Sequence, residues 1–174
     1  MKRIILAALI CVLAVTRVVA HDSADIAIYH VSRYGVGENI GTINARNTPY
    51  GALFTPKLRG LTPGLHGFHV HENPDCGAGE KDGEKIAGLA AGGHYDPENT
   101  GVHEGPFGAG HLGDLPALFI SAEGTVTHPV LAPRLRLHQL DGRSLMIHAG
   151  GDNYADRPKV LGGGGVRMAC GVIK

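Results

Sequence analysis

The stretch GLHGFHVHENPDC, residues 64–76, sets His66, His69 and His71 within six residues and ends on a cysteine. In an extended strand, side chains two residues apart project from the same face, so His69 and His71 can reach one metal ion. His66 stands three residues before His69 and faces the other way; it is expected to bond backbone. Alone, an HxH pair is weak evidence, because it often marks no more than a polar strand face. Downstream residues strengthen it: His94, His103, His111 and Asp114 follow with the spacing His-x8-His-x7-His-x2-Asp, and His148 comes later. Neutral imidazole suits zinc and copper, and a carboxylate can complete a tetrahedral zinc shell. His30, His128 and His138 stand apart from these and read as surface or filler positions.

Residues scattered over eighty positions need a frame to bring them together. Helical periodicity is scarce. Short alternating or β-rich runs bounded by Gly, Pro, Asn and Asp predict strands at 26–31, 39–44, 52–56, 65–71, 117–121, 125–128, 144–148 and 166–173, with a single helical turn at 135–140. Eight short strands, with 27 glycines to serve the turns, predict an all-β, antiparallel sandwich or barrel. Two segments break the pattern. Residues 73–115 carry no clear strand or helix, and residues 149–165 end in four consecutive glycines. Loops of that length in a compact domain are functional or mark a misassignment. The first needs something besides backbone ladders to hold it, and a metal and Cys76 are both available.

The chain opens on MKRIILAALICVLAVTRVVA, with a charged start, a short apolar run and small residues at the end. This predicts a secretory signal peptide over residues 1–20 and one soluble domain over residues 21–174. A lipid anchor at Cys11 is the weaker alternative, because Ile10 is bulky for that kind of cleavage. Without Lys2, Arg3 and Arg17 the mature chain holds 13 basic against 16 acidic residues, a net charge of about −3. It has no basic stripe or aromatic platform, so nucleic acid is not an expected partner. Two cysteines remain, Cys76 and Cys170, and in an exported chain an even pair predicts a disulfide. His21, as the mature N-terminus, has the ring and free amine for loose copper chelation.

Taken in order, GFHVH, GGHYDP, His103 with HLGD, LMIHAGGDN and GGGGVRMACGVIK resemble copper,zinc superoxide dismutase of the bacterial periplasmic branch. The resemblance covers nearly the whole mature chain. It implies an eight-stranded Greek-key β-sandwich, in agreement with the strand count. It also implies copper bound by His69, His71, His94 and His148, and zinc bound by His94, His103, His111 and Asp114, with His94 bridging the two. Asp152 matches the aspartate that hydrogen-bonds one ligand of each metal; from its own surroundings it would read as a solvated loop residue. The implied activity is dismutation of superoxide by a redox-cycling copper beside a structural zinc, with His94 relaying a proton and Arg167 guiding the substrate anion. The implied location is the periplasm, where the enzyme would protect the cell envelope, after export and with no membrane association. A homodimer is possible on the same resemblance. Lys81 and Lys85 are candidates to steer superoxide against the negative net charge. Two other function classes remain at this point: a metal-buffering protein, which needs neither Arg167 nor an open copper, and a zinc hydrolase, which needs an open zinc position and a general base.

Overall fold

The computed structural model describes residues 23–174. The apolar leader and His21 lie outside the described residues. The chain begins with an antiparallel meander of β1 (Ser23–Ser32), β2 (Gly35–Thr48) and β3 (Gly51–Leu58). Alternation drives it: Ile26 and Ile28 on β1, Ile43 and Ala45 on β2, and Ala52 and Phe54 on β3 are buried, while most of their neighbours are not. A two-residue loop joins β2 to β3, with Thr48 opposite Gly51. Gly51 adopts φ 139°, and a β-carbon there would stand 2.2 Å from the Ala132 carbonyl, so glycine is required for that close approach.

The remaining strands are β4 (Gly64–His66), β5 (Phe68–His71), β6 (Gly79–Lys81), β7 (Glu84–Ile86), β8 (Leu118–Ile120), β9 (Val130–Ala132), β10 (Ser144–His148) and β11 (Arg167–Val172). Four of them join β1, β2 and β3 in one curled sheet of seven strands, in the order β5-β10-β11-β1-β2-β3-β9, and β4 pairs with β8. The non-sequential neighbours β5–β10 and β11–β1 reflect the long crossovers of a Greek-key arrangement. From β8 the chain turns through Ser121–Thr125 to Val126, which bridges Leu58 of β3 and so links opposite sides of the sheet. Phe54 and Phe68 meet edge to face at 5.6 Å within the enclosed core.

The all-β reading holds, with three local differences. The run 65–71 is interrupted at Gly67, whose N–H donates to Gly150 and whose carbonyl accepts from His148, so it joins the second loop rather than the ladder. Of residues 125–128 only Val126 pairs, and the regular strand lies beyond Pro129, which has no N–H to donate. Residues 73–115 contain the β6–β7 hairpin and a short 3-10 turn at Leu89–Ala91. Asp82 and Gly83 turn the hairpin with φ of 54° and 79°, the two positive values of a type I′ turn, for which the Asp-Gly pair is a direct signal. The disulfide Cys76–Cys170 is formed, with a Cα–Cα distance of 5.7 Å, and it packs with Val31, Ala91 and Met146.

Candidate metal centre

β5 is the spine of the site. On one side β10 pairs with it, setting Met146 opposite His69 and Ser144 opposite His71, so that His148 leaves the sheet beside them. On the other side the long segment docks as an irregular strand. The Val70 N–H donates to Gly113 (2.9 Å), the Tyr95 N–H donates to Val70 (2.8 Å), and isolated bridges join His69 to Asp114 and His71 to His94. Two residues distant in sequence thereby come alongside the HxH pair, and all are buried.

Hydrogen bonds then decide which imidazole nitrogens keep a lone pair. The Gly92 carbonyl accepts from His71 Nδ1 (3.0 Å), and the Gly165 carbonyl accepts from His148 Nδ1 (3.1 Å). Both Nε2 atoms are therefore unprotonated, yet they face each other at 3.4 Å. His69 donates from Nε2 to Asp152 Oδ2 (2.8 Å), which leaves Nδ1 without a partner. His94 meets Asp114 Oδ1 through Nδ1 (2.9 Å), which leaves Nε2 without a partner. These four groups offer ligand atoms within 4.8 Å of one another. Lone pairs buried together without a donor are costly unless a cation lies among them. Burial, reinforced by the neighbouring histidines, holds His69 and His71 well below the usual imidazole range. Burial also lowers His94, against the pull of Asp114, and brings His148 down to about 4. All four are neutral near pH 7, the form that binds metal.

A second group shares His94. His103 Nδ1 lies 2.9 Å from Asp114 Oδ2 and His111 Nδ1 lies 3.4 Å from Asp114 Oδ1. Neither contact is aligned as a hydrogen bond, and both nitrogens are left without partners. Ligands around one tetrahedral zinc, with bonds of 2.0–2.1 Å, stand roughly 3.3 Å apart, close to these separations. His69 also comes within 4.8 Å of the donors of His94, His103 and Asp114. Its free Nδ1 is already among the donors of the first group, however, whereas the unpartnered His111 Nδ1 stands by Asp114 alone and serves as the fourth donor here. Burial alone would raise the Asp114 pKa, but His103 and His94 hold it well below the usual carboxylate range. Burial likewise resists protonation of His103, yet Asp114 and Asp152 push it up to about 9. This pocket calls for positive charge. Its donors, three imidazoles and a carboxylate, fit zinc, and the four imidazoles of the first group fit copper.

Residues 39–173 match the family model for copper/zinc superoxide dismutase. The chain belongs to that family. Superoxide dismutase [Cu-Zn] 1 of Salmonella typhimurium is 62% identical over 142 residues, covering 80% of each chain. The solved Cu/Zn superoxide dismutase from Brucella abortus superposes with a TM-score of 0.86 at 53% identity, covering 87% of this chain and 99% of its own. The solution structure of the monomeric copper, zinc superoxide dismutase from Salmonella enterica gives a TM-score of 0.79 at 54% identity over the same shares.

In this superoxide dismutase chain, Asp152 links the two groups of donors. Its buried carboxylate accepts from His69 Nε2 and, at 2.8 Å, from His103 Nε2 and the Tyr154 N–H. Gly162 lies over this junction: with φ +67°, it leaves room that a β-carbon would fill 1.9 Å from Asp152 Oδ1. Residues the sequence reading passed over complete the link. Asp156 accepts from the His103 N–H (2.9 Å) and the Leu161 N–H (3.0 Å), and the Tyr154 hydroxyl accepts from the Ala117 N–H (3.0 Å). In sequence they are an ordinary acid and tyrosine in a glycine-rich loop, with no spacing signal to single them out.

Arg167 is half-buried and donates to the Gly88 and Gly92 carbonyls, both at 2.6 Å. The same Gly92 carbonyl accepts from His71, so one oxygen separates the guanidinium from the first group. Lys81 and Lys85 project from the exposed β6–β7 hairpin among Glu80, Asp82 and Glu84, so acids outnumber the lysines there.

Proposed function

We propose that this chain dismutes superoxide with copper held by His69, His71, His94 and His148 and zinc held by His94, His103, His111 and Asp114. The observation that carries the reading is the set of buried, proton-free imidazole nitrogens facing one point, with His94 shared by a second set containing a carboxylate. Copper bound there supplies a one-electron couple, by which one superoxide is oxidised to dioxygen and a second, with two protons, is reduced to hydrogen peroxide. The protein's part is to position, neutralise and deliver protons. His94 Nε2 lacks a hydrogen-bond partner and is the nitrogen suited to take a proton and pass it to the product, while Nδ1 stays held on the Asp114 side. Arg167 is a permanent cation with directed donors and attracts the anionic substrate to the first group. Four protein donors close the second group, as expected of a structural zinc and not of a hydrolase.

The leader over residues 1–20, the disulfide and the bacterial relatives support export to the periplasm as a mature chain of residues 21–174 that protects the cell envelope. Among the described residues, no helix is long and apolar enough to cross a membrane.

The test is superoxide decay catalysed by residues 21–174 reconstituted with one copper and one zinc. Rapid, copper-dependent decay abolished by His148→Ala is expected; stoichiometric copper without turnover would instead indicate a metal-handling protein. Arg167→Ala should keep its copper and lose about tenfold in rate at low salt, because a local cation is removed from the approach path. Replacing Lys81 and Lys85 together by glutamine should lower the rate at low salt and flatten its ionic-strength dependence. An unchanged salt profile would remove the hairpin from the steering field.

A further inference from the structure

The turn between His103 and His111 holds three glycines, Gly105, Gly108 and Gly110, so ordering it is entropically expensive. Locally it is closed by the His111 N–H donating to Val102 (2.9 Å) and by Glu104 Oε2 accepting from the Ala109 N–H (2.8 Å). Its carbonyls point instead at one side chain from another part of the fold. Arg134 donates from Nη1 to Gly110 (3.0 Å), from Nε to Pro106 (3.3 Å), and from Nη2 to Gly105 (3.4 Å) and to the His111 carbonyl itself. The arginine is rooted firmly. It follows β9 and Pro133, which pack against Gly51, and its neighbour Leu135 is buried in the core.

We propose that Arg134 is a positioning residue for the zinc-side donors, fastening the turn that carries His103 and His111 so that zinc is retained. The proposal rests on the assignment of His94, His103, His111 and Asp114 to zinc. A planar guanidinium has five donors in a fixed fork, and its charge strengthens each bond to a carbonyl. A lysine in its place keeps the charge and much of the stem but concentrates its donors at one nitrogen, so it cannot span four carbonyls at the two ends of the turn. Arg134 makes none of its hydrogen bonds to β5 or β10, the strands that carry the copper-side donors His69, His71 and His148.

The experiment uses protein loaded with one copper and one zinc, and compares wild type, Arg134→Lys, Arg134→Gln and His111→Ala. Zinc release to a chromogenic chelator, the copper absorption spectrum, copper release, and the melting temperature of the metal-free protein are read on each. Zinc release about tenfold or more faster in both Arg134 variants is expected, with copper release within about twofold of wild type and the metal-free melting temperature unmoved. Arg134→Lys showing wild-type zinc release would overturn the proposal. So would parallel loss of both metals with a lower metal-free melting temperature, which would mark Arg134 as merely structural. His111→Ala separates the two levels: if it releases zinc no faster than wild type, the zinc assignment fails and the proposal falls with it. If His111→Ala loses zinc and the Arg134 variants do not, only the role of Arg134 fails.

Discussion

Replacing Asp152 by alanine is expected to lower the retention of both metals and the dismutation rate by about 10–100-fold. The carboxylate accepts from His69 Nε2 on one side and from His103 Nε2 on the other, and its removal leaves two buried ring N–H groups with no acceptor. Each ring can then rotate or move its proton to Nδ1, the nitrogen that has no other partner and faces the metal group. A proton there removes the lone pair the metal needs. Asparagine should fare little better. Its oxygen can accept from one histidine, but its NH2 then meets the N–H of the other. Gly162→Ala should produce a weaker form of the same defect, since the added carbon enters the space of Asp152 Oδ1 and also lies 2.8 Å from His103 Nε2. Metal content after chelator challenge, measured beside superoxide decay, checks all three variants. Full retention of both metals in Asp152→Ala would show that packing alone orients the two rings.

The second large effect concerns the disulfide. Replacing Cys76 and Cys170 together by alanine should destabilise the fold by about 4–5 kcal/mol, the chain-entropy value for a closed loop of this length. For a domain of this size the melting temperature should fall by roughly 10–18 °C. Alanine is the better choice than serine, because both sulfurs sit among Val31, Ala91 and Met146, where a hydroxyl would lack a partner. Activity should fall further than copper content does. The disulfide ties the head of the long segment to β11, the strand that carries Arg167, and the carbonyls that orient Arg167 lie at Gly88 and Gly92 of that same segment. Scanning calorimetry and activity normalised to bound copper test the two parts separately. A melting temperature within about 3 °C of wild type would show that the unfolded chain is little restrained by the link.

Local patterns carried much of this protein's structure. Period-two alternation in β1 to β3 marked the meander, and the same periodicity placed His69 and His71 on one face. His66 donates from Nδ1 to the His148 backbone carbonyl at 2.8 Å, as expected, although the break at Gly67 puts it on β4 and not on the strand of His69. The run Ser144–His148 was legible to the residue. The grouping of His94, His103, His111, Asp114 and His148 with the HxH pair came from residue type and spacing, and their division between two metals came from family resemblance. Even the β6–β7 hairpin had its signal in Asp82-Gly83, overlooked because the flanking runs are only three residues long.

Tertiary structure decided the rest, because the deciding contacts are single and distant rather than periodic. Nothing near Asp152 in the chain distinguishes it from a solvated acid, and only the family resemblance singled it out; the contacts themselves form when His69, 83 positions away, and His103, 49 positions away, arrive at its two oxygens. Arg134 reads as one basic residue after a proline until the carbonyls of the 105–111 turn close around it. The lone pairs of His71 and His148 exist where they do because the carbonyls of Gly92 and Gly165 take the opposite protons, and composition cannot specify which carbonyl a ring will meet. Residue types set what chemistry was available, and long-range hydrogen bonds set the protonation of each nitrogen that performs it.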